Sequence, residues 1–252
     1  MKLRSIDATR YVMPLREGGS LPALVEASDD GLYVAKFRGA GHGVKALTAE
    51  VIAGELARAL GFRVPELVLL TVDPRLASAE PDEEIQDLLA ASAGLNLGVD
   101  FLPGALSFNV AAEPATDPEL AADIVWFDAF VTNVDRTPRN TNLLTWHADL
   151  WLIDHGASLF FHYAADAAAT DPRMPFPMIA EHVLLPVAGS VSEADARLAP
   201  RITNAAIDGA LEAVPVDWLD DGGVDRYRDY LVTRIAAPRD FVHEAERARD
   251  RR

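Results

Sequence analysis

Two short apolar runs, LLTW at 143–146 and LWLI at 150–153, are separated only by His147, Ala148 and Asp149. That spacing commits the middle of the chain to a hairpin of two strands around the turn HAD. The chain goes out and comes back, so the residues before the first run and after the second are returned to one neighbourhood. What brackets the hairpin is chemically specific. Asp135 lies in TNVDR at the end of an apolar helix, Asn140 follows five residues on, and Asp154 comes fourteen after that, with Gly156 permitting a tight turn. A carboxylate and an amide oxygen brought together suit a hard cation such as magnesium. Asp135 is then left to accept a proton from an incoming hydroxyl, or to orient it. A base together with oxygen ligands for a metal that holds phosphates is the division of labour of phosphoryl transfer.

The same chemistry needs a cation on the phosphates. The first third of the chain reads as a sheet with one helix. TRYVMPLR and LPALVEAS flank EGGS as two strands joined by a glycine turn, and LYVAKFRG is an alternating strand that carries Lys36. A lysine in mid-strand among apolar neighbours is costly unless it faces a cleft or a partner. The helix expected from Ala49 to Leu60, with Thr48 as its cap, Gly61 as its stop and Pro65 forbidding continuation, offers Glu50 and then Glu55 as that partner. The turn REGGS supplies backbone amides able to cover phosphates. VPELVLLTVD reads as a further strand. From Pro74 to about Asp100 the chain is acidic, with one short amphipathic piece near Ile85–Ala91, and reads as a connector ending at a lobe boundary near GVDFLPG. DPELAADIVWFDAFVTN is expected as an amphipathic helix opened by Asp117-Pro118, and the rest as mostly helical.

Composition closes other routes. The 252 residues, half of them hydrophobic, are ample for a core in one large domain or two lobes. There is no cysteine, which excludes disulfides, thiolate zinc sites and a cysteine nucleophile, and the cytoplasm is the expected compartment. Thirty-nine acidic residues against 23 basic ones give a formal charge of −16. Such a surface repels nucleic acid and anionic lipid, so neither is expected as a partner. No apolar stretch reaches membrane-spanning length, and the first fifteen residues do not read as a signal peptide. The tail HEAERARDRR mixes signs and reads as a frayed, solvated helix end.

The order glycine turn, VAKF, helix glutamate, DRTPRN, IDHG resembles the protein-kinase-like fold. NVDR…N in place of H-R-D, with GGSLPALVEA and LARALGFRVPE, resembles the HipA-like kinases in a compact bacterial form over roughly 14–161. The resemblance implies an α+β, two-lobed fold. A small N-terminal antiparallel-sheet lobe with one helix (1–98) would bind the nucleotide, and a mainly helical C-terminal lobe (99–252) would carry catalysis. It implies ATP and magnesium as cofactors. Lys36 would contact the ATP phosphates and pair with Glu50, and Asp135 would be the catalytic base. Asn140 and Asp154 would hold magnesium. Gly18, Gly19 and Ser20 would cover the phosphates, and backbone near Phe101, Leu102 and Pro103 would meet the adenine. His155 stands where the family of protein kinases places an aromatic residue, and the phosphate loop lacks a full G-x-G-x-x-G.

Plainer readings stand beside these. Asp135-Arg136 alone is a salt-bridged helix end, Lys36 alone an edge-strand lysine, and Gly18-Gly19 alone a hairpin turn. His155, His162 and His182 have no zinc spacing and read as hydrogen-bonded structural residues. Trp126, Trp146 and Trp151 read as core. Asn142 is the alternative to Asn140 but suits the start of a strand. Ser20 and Ser158 lack a triad context. The expected activity is transfer of phosphate from ATP to an alcohol, first a serine or threonine of a protein. The competing readings are a nucleotide-binding pseudokinase that works by association and a small-molecule or lipid kinase on the same scaffold.

Overall fold

Eleven residues from Arg4 to Pro14 form β1, a strand bent twice so that it serves two partners. The computed structural model describes residues 2–15, 21–111, 116–164 and 170–251, so the expected phosphate-covering turn at Gly18, Gly19 and Ser20 lies outside the described residues. The chain divides into two compact units, 1–48 with 65–104 and 49–64 with 105–252.

In the first unit, β2 (Ala23–Ala27), β3 (Leu32–Lys36), β4 (Leu67–Val72) and β5 (Gly94–Asp100) close with β1 into a barrel of order β1-β2-β3-β5-β4. The first half of β1 runs parallel to β4, from Arg4 opposite Val68 to Asp7 opposite Thr71, and its second half runs antiparallel to β2. Register shifts between Ala8 and Arg10 and between Tyr11 and Met13 turn the strand from one partner to the other, as bulges do. The sheet is therefore closed and carries one parallel pair, where an antiparallel sheet was expected. Residues 94–100 are a barrel strand rather than the end of a connector. Gly98 explains both the close packing and the weak sequence signal: a Cβ there would stand 2.7 Å from Val68 Cγ2. Ile6, Val25, Ala35, Val68 and Leu70 fill the interior, closed by Ile85 and Leu89 of helix α2 (Glu83–Ala91). Helix α1 (Val44–Ala59) starts before the expected Ala49, and Thr48 is a fully buried helix residue rather than a cap. It stops where expected. Gly61 takes φ +88°, and Phe62 donates back to the Ala57 carbonyl at 3.0 Å.

The second unit is built on α3 (Pro118–Val131). Asp117 caps it by accepting from the Glu119 amide at 3.1 Å. Apart from Asp123, every residue from Ala121 to Val131 is buried, so this helix is not the amphipathic one expected but one enclosed on all sides. α4 (Val191–Leu198), α6 (Gly223–Ile235) and α7 (Asp240–Asp250) pack against it, and α5 (Asn204–Leu211) packs on α6. The tail is docked, not frayed. Phe241, Ala245 and Ala248 lie on one face of α7, and the Phe241 ring sits 5.8 Å from that of Trp126, edge to face. A three-stranded sheet of β6 (Leu106–Ser107), β7 (Leu143–Trp146) and β8 (Asp149–Leu152) completes the unit. The β7–β8 turn has His147 and Ala148 at φ +49° and +65°, the two-residue hairpin turn that matches strand twist. Trp126 is core; Trp146 and Trp151 are half-buried and meet edge to face at 5.3 Å. Among the described residues no helix is long and apolar enough to cross a membrane.

Candidate active site

The last turn of α3 and the loop after it form one hydrogen-bonded block. Asp128 lies in the run IVWFDAFV, where a carboxylate is tolerable only if fully partnered. It accepts from Arg136 Nε at 2.5 Å, from His182 Nε2 at 2.8 Å and from Asn133 Nδ2 at 3.1 Å. The Leu184 amide donates to His182 Nδ1 at 3.1 Å, which fixes the tautomer and puts the proton on Nε2. Burial pushes the Asp128 carboxyl up, but the Arg136 charge and the His182 hydrogen bond outweigh it and hold the group far below the usual carboxylate range. Burial likewise keeps the His182 imidazolium disfavoured, against the pull of Asp128.

This block places Asp135. Thr132 turns the chain out of α3 in the left-handed region at φ +54°, and Asn133 Oδ1 accepts the Asp135 amide at 3.1 Å. Arg136 then reaches across the loop. Its Nη1 donates to the Asn142 carbonyl and to the Ile153 carbonyl, the latter at 3.3 Å, and the Ile153 amide donates to the Asn142 carbonyl at 3.1 Å. Those bonds tie the start of β7 to the residue just before Asp154. The Asp135 carboxylate is engaged on one oxygen: Oδ2 accepts Asn140 Nδ2 at 2.7 Å and Asn142 Nδ2 at 3.3 Å. Oδ1 has no hydrogen-bond partner among the described residues. Burial pushes the Asp135 carboxyl up, the Asn142 amide draws it back, and the negative charge of Asp154 pushes it up again, with a net rise.

The other expected residues fall as follows. Asn140 and Asp154 are exposed; Asp154 takes φ +58°, a left-handed conformation that aspartate tolerates better than most residues. With its amide nitrogen held by Asp135, Asn140 leaves Oδ1 as an acceptor. That oxygen and the Asp154 carboxylate are hard donors of the kind magnesium takes, while no group of three or more acids and histidines is arranged to hold a metal ion among the described residues. Glu50 is buried in α1 with Oε1 at 3.6 Å from His155 Nδ1, and His155 stacks edge-on to Phe127. Glu55 faces Arg58 at 3.3 Å. Glu50, Asp135, Asn140 and Asp154 all belong to the second unit. Lys36 belongs to the first, at the end of β3 opposite Leu97 of β5. Phe101 and Leu102 also belong to it. They follow β5, with the Phe101 amide on the Leu32 carbonyl at 3.0 Å.

Three residues of the block carry sequence signals that motif spacing passes over. Asn142 is buried at φ +48° and donates to the Asp135 backbone as well as its carboxylate. Asp128 is a charge inside an apolar helix, and His182 is the structural histidine that donates a hydrogen bond to it.

A family model for HipA-like kinase matches residues 9–222. No curated protein sequence matches the chain. Among solved structures, the Helicobacter pylori proinflammatory kinase CtkA is similar with a TM-score of 0.58 at 15% identity, over 98% of this chain and 99% of that one. The Golgi casein kinase is similar with Mn/ADP bound (TM-score 0.53, 12% identity, all of this chain and 74% of that one). It is similar also in a second structure (TM-score 0.51, 12% identity, 73% of that chain). At these identities the likeness establishes a protein-kinase-like fold of mixed α and β structure.

Proposed function

Because the chain belongs to the HipA-like kinase family, we propose that it transfers the γ-phosphoryl group of ATP to the hydroxyl of a serine or threonine on a protein. The observation that carries this reading is the Asp135 carboxylate. One oxygen is clamped by two amides, the other is open, and the loop beneath is locked by a buried charge network. Asp135 Oδ1 takes the proton of the acceptor hydroxyl as its oxygen bonds to phosphorus, and the bond from phosphorus to the leaving oxygen of ADP breaks with its electron pair going to ADP. A general base of this kind contributes about 10²–10⁴ in rate.

In this reading residues 1–98 serve the nucleotide and 99–252 catalysis. Lys36 meets the phosphates, backbone at Phe101 and Leu102 meets the adenine, and Gly18, Gly19 and Ser20 cover the phosphates. Glu50 is the buried acid of the set. Asn140 Oδ1 and Asp154 hold magnesium, which when bound neutralises charge on the phosphates. The Mn/ADP carried by the Golgi casein kinase supports a nucleotide with a divalent ion.

A thermal-shift panel of nucleotides with and without magnesium, run beside radiolabelled transfer from ATP, tests the reading. ATP at about a hundredfold its Kd stabilises by about 2.7 kcal/mol. Transfer is expected to vanish in Asp135→Ala and in Asp154→Ala, and the magnesium-dependent part of the shift to vanish only in Asp154→Ala. Undiminished transfer in both variants defeats the site. Binding without turnover on any acceptor identifies a pseudokinase, and turnover only on small alcohols or lipids moves the acceptor class.

A further inference from the structure

Three histidines of the second unit are buried, His155, His162 and His182. Two of them are hydrogen-bonded, as the sequence led one to expect. His182 is held by Asp128 and the Leu184 amide, and His162 Nδ1 lies 3.1 Å from the Tyr227 hydroxyl. His155 differs. It is fully buried, yet neither of its ring nitrogens has a hydrogen-bond partner. A buried polar atom without a partner costs stability, so packing alone would favour an apolar ring here.

What the ring meets instead is an acid. Glu50 of α1, 2% exposed, has Oε1 at 3.6 Å from His155 Nδ1. No other carboxylate lies within 4.0 Å of the ring among the described residues. The distance exceeds that of a hydrogen bond. Inside a buried site, however, a charge and an N–H dipole act on each other far more strongly than in water. The opposite arrangement would set the lone pair of Nδ1 against the carboxylate. The proton therefore belongs on Nδ1.

The backbone beneath the ring is fixed to α3. The Ser158 amide donates to the His155 carbonyl at 2.9 Å, the Leu159 amide to the Val131 carbonyl at 2.7 Å, and the Phe160 amide to Thr132 Oγ1 at 3.2 Å. The ring itself stands edge-on to Phe127, with centroids 6.3 Å apart. His155 is thus held from the α3 side and presents Nδ1 to α1, one residue after Asp154.

We infer that His155 is a positioning residue: it carries a proton on Nδ1 and with it orients the Glu50 carboxylate against the turn that bears Asp154. Its part in phosphoryl transfer rests on the kinase reading above, in which Glu50 and Asp154 belong to one set.

The ring proton is read first, by nitrogen resonances of the unaltered chain carrying isotope-labelled histidine, with His155 assigned through its backbone. A proton on Nδ1 is expected, and a ring protonated on Nε2 alone overturns the inference. The second readout is turnover of radiolabelled ATP, with dephosphorylated casein and water as acceptors. His155→Phe keeps a ring against Phe127 but has no donor. Its kcat is expected to fall about tenfold although its urea midpoint does not fall. His155→Asn loses the ring but keeps an N–H on the atom that corresponds to Nδ1. It is expected to be less stable, yet within about threefold of wild type in kcat. Activity that follows stability instead, with His155→Asn slower than His155→Phe, marks a merely structural residue and overturns the inference. In a Glu50→Gln background, adding His155→Phe is expected to cost less than about twofold, because the ring acts through Glu50; losses that multiply in full overturn it. Should both His155 variants fail to fold, the Nδ1 resonance decides: it is expected to move in Glu50→Gln, and a resonance that stays in place overturns the inference. A wild-type chain that neither binds ATP nor turns it over overturns the kinase reading and the role in transfer with it, while the ring proton still decides the contact with Glu50.

Discussion

Removing the Asp128 carboxylate should be among the most costly single changes in the second unit. In Asp128→Leu the Arg136 guanidinium, wholly buried, loses the only carboxylate it pairs with among the described residues. An uncompensated buried charge costs about 3–5 kcal/mol. His182 Nε2 and Asn133 Nδ2 also lose their acceptor, so the lower bound is firm. Against a typical stability of about 5–15 kcal/mol this is a large fraction. At about 2–4 °C per kcal/mol for a chain of this size, Tm falls by about 6–20 °C. Arg136→Met should cost as much, because it leaves the carboxylate buried without its cation and removes the Nη1 hydrogen bonds to the Asn142 and Ile153 carbonyls. The double variant buries neither charge. Its cost should match that of one single variant, a coupling of about 3–5 kcal/mol, the cost of the other. Urea unfolding followed by tryptophan fluorescence is the assay, since Trp126, Trp146, Trp151 and Trp218 all lie in the second unit. Single variants costing under about 1 kcal/mol, or a double variant that costs the sum of the two, would refute the argument.

Two further outcomes follow from the same block. Asn142→Ala should be less stable than Asn142→Gly by about 1–2 kcal/mol, because both lose the amide but only alanine is strained at φ +48°; equal urea midpoints would sink this. The second concerns pH. The folded-state pKa of His182 lies below its ordinary 6.5, so the unfolded chain binds the proton first and stability declines as pH falls through 6.5. The Asp128 carboxyl, also depressed, contributes stability that is present above the ordinary carboxylate value of 3.8 and is lost progressively as the pH falls through that value and below it. His182→Gln should flatten the stability profile between about pH 5 and 7, and an unchanged slope there would remove His182 as its source.

What the sequence disclosed and what it hid divide along a physical line. The β7–β8 hairpin was legible because alternation of apolar residues around a short turn is local, and the stop of α1 was legible because Gly61 and Pro65 act on their own neighbours. The closing of the barrel was not. β5 carries two glycines and an asparagine, Gly94, Asn96 and Gly98, which erase the strand pattern. They are there because Gly98 admits Val68, and Asn96 donates to the Ser92 and Gly94 carbonyls at 2.7 and 2.8 Å while accepting the Arg38 amide at 2.8 Å. Those demands come from tertiary neighbours. The same holds for α7, whose polar sequence hid the Phe241, Ala245, Ala248 stripe because two of its three members are alanines.

The candidate site shows this division most sharply. Asp135, Asn140 and Asp154 stand out through spacing, since their chemistry requires fixed residue types close along the chain. Asp128, His182 and Arg234 do not, since each acts on a partner 54 to 105 residues away. Yet two of them break a local rule: Asp128 is an acid inside an apolar helix and Arg234 an arginine in an aromatic stripe. A buried charge with no local partner must find one elsewhere or the fold does not form. Here two buried guanidiniums, Arg136 and Arg234, find partners on three consecutive residues, 128–130, one through a side chain and the other through carbonyls. The loop after α3 has no regular structure of its own, so the position of Asp135 is set by those partners rather than by the loop. Substitutions beneath the loop should therefore disturb the proposed phosphoryl transfer in proportion to the hydrogen bonds they remove, whatever their distance from Asp135.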